Sequence, residues 1–161
     1  MVILTLNCGS SSVKYQVYDW RKKSALATGI VERVTQPGSF IKHKARGKGE
    51  YNLNRECPNH EIAIRLIMDT LVDPQVGAIG NVNEIMAVGH RVVHGGEKFS
   101  QSVTITPEVI TTFEELQGLA PLHNPANITG IRAAQAVLPK VRHCAVMDTA
   151  WHQTMPPESY L

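Results

Sequence analysis

At 161 residues, 43% of them hydrophobic and 19% charged, the chain can bury one ordinary core and is too apolar to be disordered. A formal net charge of +2 is too small to argue for a nucleic-acid or membrane partner, and no apolar run approaches the roughly 20 residues that a membrane helix needs. Its three cysteines, Cys8, Cys57 and Cys144, fit neither a C-x-x-C motif nor a zinc knuckle, which favours a reducing, cytoplasmic setting.

The opening Met1-Val2-Ile3 lacks the basic region and small-residue cleavage site of a signal peptide. Val2 to Leu6 is a continuous apolar run, which suits a central strand covered on both faces. A small, hydroxyl-rich stretch follows, Asn7-Cys8-Gly9-Ser10-Ser11-Ser12-Val13-Lys14. Val13 to Asp19 alternates, with Val13, Tyr15 and Val17 on one face and Lys14, Gln16 and Tyr18 on the other. Arg21-Lys22-Lys23 reads as a turn and Ala25 to Val34 as a third strand, so the opening is an antiparallel meander. Residues 35–58 read as irregular, with a possible hairpin on which Lys42, Lys44, Arg46 and Lys48 fall at period two. With few aromatics interleaved, that stripe reads as a solvated face rather than a nucleic-acid contact.

Three helices are expected. Asn59 caps one running to about Val72, with Ile62, Leu66, Ile67 and Leu71 inward. Thr106 caps a second, with Pro107 at its first position, Glu108 beside its positive end, and Ile110, Phe113 and Leu116 inward. Asn124-Pro125 repeats that opening for a third, lined by Ile128, Ile131 and Leu138 and ended by Pro139. Strands at Ile85 to Val88, continuing toward Val93, and at Val141 to Met147 alternate with these helices and predict an α/β layer architecture. Asn7, Arg91 and Asp148 each fall at or near the C-terminal end of an apolar strand, where open α/β sheets bind ligands. The chain stops at Pro156-Pro157-Glu158-Ser159-Tyr160-Leu161 without a polar tail or capped helix, which suggests a truncated or split protein.

In the Asn7–Lys14 stretch, glycine lets backbone come close, hydroxyl and N–H groups donate to oxygens, and lysine adds charge, all of which suit phosphate. It is not a Walker A loop, and a Gly-Ser turn is often only a turn. Cys8 has no base beside it and reads as a small buried residue. Arg91 offers a planar fork for carboxylate or phosphate, or else a surface ion pair. His90 and His94 have a metal-like spacing that converges only on a helix, whereas Val92-Val93 and Gly95-Gly96 favour strand and turn. His123, directly before a helix start, suits a phosphoryl group or is merely structural. Asp148 suits magnesium through water, an arginine partner, or a simple turn. His152 has no independent support.

Taken together, Asn7-x-Gly9-Ser10-Ser11-Ser12-x-Lys14, Gly89-His90-Arg91-Val92-Val93-His94-Gly95-Gly96, Pro121-Leu122-His123-Asn124-Pro125 and Met147-Asp148-Thr149-Ala150 resemble, in order, blocks of the acetate kinase and short-chain acyl kinase family. The resemblance covers essentially the whole chain. It implies the fold of the acetate and sugar kinase, heat-shock ATPase and actin superfamily, with residues 1–161 as an N-terminal domain of mixed sheet and packed helices. It also implies phosphoryl exchange between ATP and acetate through Mg2+, giving acetyl phosphate and ADP. By the same resemblance, Arg91 engages the carboxylate and the transferring phosphoryl group, His123 contacts that group, and Asp148 supports magnesium and the arginine. Asn7, Ser10, Ser12 and Lys14 line the phosphate and metal region, with Asn7 at the metal, and Val93 and Leu122 line the acyl pocket. Family members have a second domain, absent here, that carries the adenosine site, a second arginine, a magnesium-associated glutamate and most of a homodimer interface. The 161 residues alone are therefore expected to be inactive.

An acetate carboxylate is already ionised at neutral pH, so no general base is needed, and Arg91 gains weight by relieving anion–anion repulsion. Direct in-line transfer without a phosphoenzyme is expected. Propionate is the nearest rival substrate, since one methylene discriminates by only roughly 1–3 kcal/mol. A non-catalytic phosphate-binding module needing a partner chain is the alternative from another class. A sugar-kinase-like domain is disfavoured by the His-Arg and Leu-His-Asn blocks.

Overall fold

The computed structural model describes residues 1–92, 102–116 and 124–147. They form one mixed eight-stranded sheet and three helices, the α/β architecture that the sequence predicts. The strands are β1 (Val2–Cys8), β2 (Ser12–Asp19), β3 (Ser24–Glu32), β4 (Phe40–Ala45), β5 (Glu50–Asn54), β6 (Ile85–Val92), β7 (Val103–Thr104) and β8 (Arg142–Met147). Their order across the sheet is β5-β4-β3-β2-β1-β6-β8-β7. From β1 to β5 every neighbour is antiparallel, the expected meander extended by a hairpin. On its other side β1 runs parallel to β6, and β6 parallel to β8. Short β7 closes that edge antiparallel to β8.

Helices α1 (His60–Leu71), α2 (Pro107–Glu115) and α3 (Asn124–Val137) supply the second layer. Asn59 caps α1 by accepting from the Ile62 N–H, and Thr106 caps α2 by accepting from Val109 with Pro107 at the start. The main core joins Leu4, Leu6, Val13, Val17 and Val31 of the sheet to Ile64, Ile67 and Leu71 of α1. A smaller cluster joins Val92, Ala145 and Met147 to Phe113 of α2 and Ile131 of α3. Gly29 on β3 permits a close approach, because a methyl group there would collide with the Tyr15 hydroxyl on β2 and the Lys42 carbonyl on β4. Gly47, at φ +75°, makes the β4–β5 turn that a side chain would strain.

Four expectations are corrected. β1 is central but not covered on both faces: Val2, Leu4, Leu6 and Cys8 are buried, Thr5 is exposed, and Ile3 and Asn7 are half-buried. Its open face carries β-branched residues, so the pleat is invisible in a hydrophobicity reading. β3 stops at Glu32, because the chain turns to send the Val34 N–H to the Ser11 carbonyl. Residues 35–58 are not irregular throughout, since β4 and β5 form a hairpin. Lys42, Lys44, Arg46 and Lys48 are all exposed, the solvated face that was expected, though Arg46 and Lys48 lie past the end of β4, where Arg46 bonds Ser24 Oγ and Lys48 bonds the Gly77 carbonyl. Finally, among the described residues α3 begins at Asn124 itself, one residue before the start that the Asn124-Pro125 reading gives it.

Candidate active site

Helices α1 and α3 pack on one face of the sheet, so the alternation of each strand sorts the site residues. Leu6 pairs with His90 across β1 and β6, and both are buried toward the helices. Asn7 and Arg91, each one step further along, therefore point to the opposite, open face. Asn7 also pairs with Lys14 on β2, which puts Lys14 on that face, and Ser12 two residues earlier joins it. The result is a row across three neighbouring strands, Lys14–Asn7–Arg91, spanning about 10 Å at ordinary strand spacing. It lies at the C-terminal ends of parallel strands β1 and β6, where the sequence reading placed it. Two cations flanking an amide suit an anion with several oxygens.

The β1–β2 turn is held from behind. Gly9 donates its N–H to the Ser12 carbonyl at 2.9 Å, closing a turn around Ser10 and Ser11. The Gly9 carbonyl accepts from His60 Nε2 at 2.7 Å, and the Cys8 carbonyl accepts from Asn127 Nδ2 at 3.1 Å. The Ser11 carbonyl accepts from the Val34 N–H at 2.9 Å. Ser10 is exposed, and Ser11 and Ser12 are half-buried. A loop whose Cys8, Gly9, Ser11 and Ser12 carbonyls are engaged and whose Ser10 is exposed can offer donors to phosphate oxygens.

Cys8 is no nucleophile: burial pushes its thiol up to about 12, and its sulfur packs where a methyl on Gly130 of α3 would stand. His90 does not turn to the open face where a metal could reach it. It turns into the helix layer and stacks on His143 of β8, ring centroids 5.2 Å apart, with Nε2 3.0 Å from His143 Nδ1. His143 Nε2 lies 2.9 Å from the Leu138 carbonyl, which can only accept, so that nitrogen carries the proton and His90 donates to His143. Burial lowers both histidines, His90 to about 3, so the pair is neutral. Among the described residues no three His, Cys, Asp or Glu side chains converge as a metal cluster.

Val93, Leu122, His123 and Asp148, together with His94 and His152, lie outside the described residues. The structure therefore brings together Asn7, Ser12, Lys14 and Arg91 beside the Ser10 turn. Sequence reasoning missed His60 and Asn127 behind that turn. The helical period carried the signal: His60 falls in register with buried Ile64, Ile67 and Leu71, and Asn127 with buried Ile131, Ala134 and Leu138. A polar residue on an apolar stripe must find a buried partner.

The acetokinase family model matches residues 2–161. Acetate kinase of Treponema pallidum (strain Nichols) is 57% identical over all 161 residues, which make up 36% of that protein. Acetate kinase of Geobacter metallireducens is 59% identical over the same span, 38% of its length. The crystal structure of Porphyromonas gingivalis acetate kinase superposes with a TM-score of 0.89 at 50% identity, covering 98% of this chain and 39% of that one. A propionate kinase from Francisella tularensis subsp. tularensis SCHU S4 gives a TM-score of 0.84 at 38% identity, with the same coverage. The chain thus spans under two fifths of the length of each of these relatives.

Proposed function

The chain belongs to the acetokinase family, and from that premise we propose that it forms one wall of an acetate kinase site. The reaction is reversible transfer of a phosphoryl group from ATP to acetate, giving acetyl phosphate and ADP. The observation that carries this reading is the Lys14–Asn7–Arg91 row at the C-terminal ends of the parallel strands.

In this reading Arg91 draws the acetate carboxylate and the transferring phosphoryl group together and offsets the repulsion between them. His123 donates to that phosphoryl group, and Asp148 orients Arg91. Lys14, Ser10 and Ser12 hold phosphate oxygens, and Val93 and Leu122 shape the pocket for the methyl group. No residue need act as base, because acetate arrives ionised. Transfer is direct, with no phosphoenzyme; the buried, protonated Cys8 is consistent with that. The oxygen donors beside the row fit Mg2+, which keeps waters and binds through phosphates rather than in a protein cage. Asn7 and Asp148 would hold it, and it would neutralise charge on the phosphates.

The rest of the family's length supplies, in this proposal, a second domain with the remaining nucleotide contacts and a homodimer interface, in a cytoplasmic protein without membrane or nucleic-acid partners. A polypeptide of the relatives' length carrying residues 1–161 is expected to form acetyl phosphate from ATP and acetate. Arg91→Ala should lower its kcat by about 10³. Absence of acetyl phosphate in the parent, or full activity in the variant, would refute the assignment. The 161 residues alone should show negligible turnover. The similarity to a propionate kinase favours propionate as the second reading, and comparing kcat/KM for the two acids decides between them.

A further inference from the structure

We propose that His60 and Asn127 are positioning residues that draw the Gly9 and Cys8 carbonyls inward, so that the Ser10 N–H of the Gly9–Ser12 turn faces the ligand. This role rests on the phosphate-binding reading of that turn.

Phosphate oxygens accept hydrogen bonds and are repelled by carbonyl oxygens, so a phosphate loop must control the direction of each peptide unit. The peptide bonds of the described residues are trans, and in a trans unit the C=O and N–H point in opposite directions. Drawing the Gly9 carbonyl to His60 at the start of α1 therefore turns the Ser10 N–H away from the helix layer. Drawing the Cys8 carbonyl to Asn127 on α3 fixes the preceding unit. With the Gly9–Ser12 and Val34–Ser11 bonds, the carbonyls of Cys8, Gly9, Ser11 and Ser12 are all engaged on the protein side. Without His60 the Gly9–Ser10 unit can flip its carbonyl toward the anion, and without Asn127 the Cys8–Gly9 unit is held only by the Gly9 N–H bond to Ser12.

Both side chains suit the task. His60 is 6% exposed and Asn127 is 5% exposed, so neither bond competes with water. They come from different helices, 51 and 119 residues from their acceptors, so the turn is clamped by the tertiary fold rather than by its own sequence. The Gly9 carbonyl can only accept, so His60 Nε2 is the protonated nitrogen.

The test follows the amide resonances of Ser10 and Ser11 in the 161-residue chain during titration with inorganic phosphate. In the parent, the Ser10 amide should shift and saturate. His60→Leu and Asn127→Ala should each weaken phosphate binding by about tenfold, one buried hydrogen bond's worth. His60→Gln, which retains a donor, should restore it to within about threefold even if it is no more stable than His60→Leu. That rescue separates positioning from a merely structural role. If His60→Leu loses its dispersed spectrum, Asn127→Ala against the parent decides the matter. Saturating shifts of equal affinity in parent and variants would overturn the positioning role and leave the phosphate reading intact. No response of Ser10 and Ser11 in the parent would overturn both.

Discussion

Each half of the sheet buries a histidine relay, and the two end differently. In the antiparallel half, the Tyr15 hydroxyl lies 2.6 Å from His43 Nδ1, and His43 Nε2 lies 2.9 Å from the Val76 carbonyl. In the parallel half, His90 donates to His143, which donates to the Leu138 carbonyl. The first relay begins at a phenol, whose pKa burial raises further, so it holds its proton throughout the useful pH range. The second begins at another imidazole, one that burial holds to about 3. The antiparallel half thus rests on one titrating ring and the parallel half on two. The half that carries Arg91 is therefore the more exposed to acid.

Steric room should separate the halves most. A methyl on Gly29 meets the Tyr15 hydroxyl and the Lys42 backbone, whereas one on Gly89 of β6 meets only Thr5 at 3.8 Å and Val146 at 4.0 Å on the open face. Gly29→Ala is expected to cost about 3 kcal/mol or more, and Gly89→Ala less than about 1 kcal/mol, by urea unfolding. Equal costs would mean that the open face is as tightly filled as the helix face.

Next in size is the loss of the phenol. Tyr15→Phe leaves the buried His43 Nδ1 without its donor and should cost about 1–3 kcal/mol, read from the same unfolding curves at neutral pH.

The acid response follows from the sign of the shifts. The folded pKa values of His43, His90 and His143 are lowered, so below about 6.5 the unfolded chain takes up protons that the folded chain refuses. Stability is fully present above that pH and falls as pH drops, for His90 down to about 3. Each such histidine contributes a slope of about 1.4 kcal/mol per pH unit. His90→Gln, which keeps a donor toward His143, should flatten the curve between pH 6 and 4 by about one proton. His43→Gln should flatten it over a narrower range. An unchanged slope in both variants would remove the contrast between the halves.

Smallest is the surface of the hairpin: Lys42→Gln and Lys44→Gln should each change stability by under about 0.5 kcal/mol.

How far the sequence could be read also differs between the halves. β2 alternates cleanly because one face is core and the other open, and α1 and α2 carry caps whose side chains bond where their spacing predicts. Arg91 and Asn7 were legible as strand-end residues, and their register across β1 and β6 makes them neighbours. β7, only two residues long, has too little pattern to see and exists through pairing with β8. The exposed Thr5 on a central strand was hidden because β-branched residues suit either face of a sheet. His60, Asn127 and the His90–His143 stack escaped for a common reason: their partners are distant in sequence, and local pattern marks them only as polar residues at buried positions.

The thiols divide along the same surfaces. Cys144 pairs with Gly89 on the open face and is half-buried, while Cys8 and Cys57 are buried. An alkylating reagent applied to the folded chain should therefore tag one position first. Its rate gauges how well that face is shielded, so the native protein carries its own footprinting probe for whatever comes to lie across the sheet.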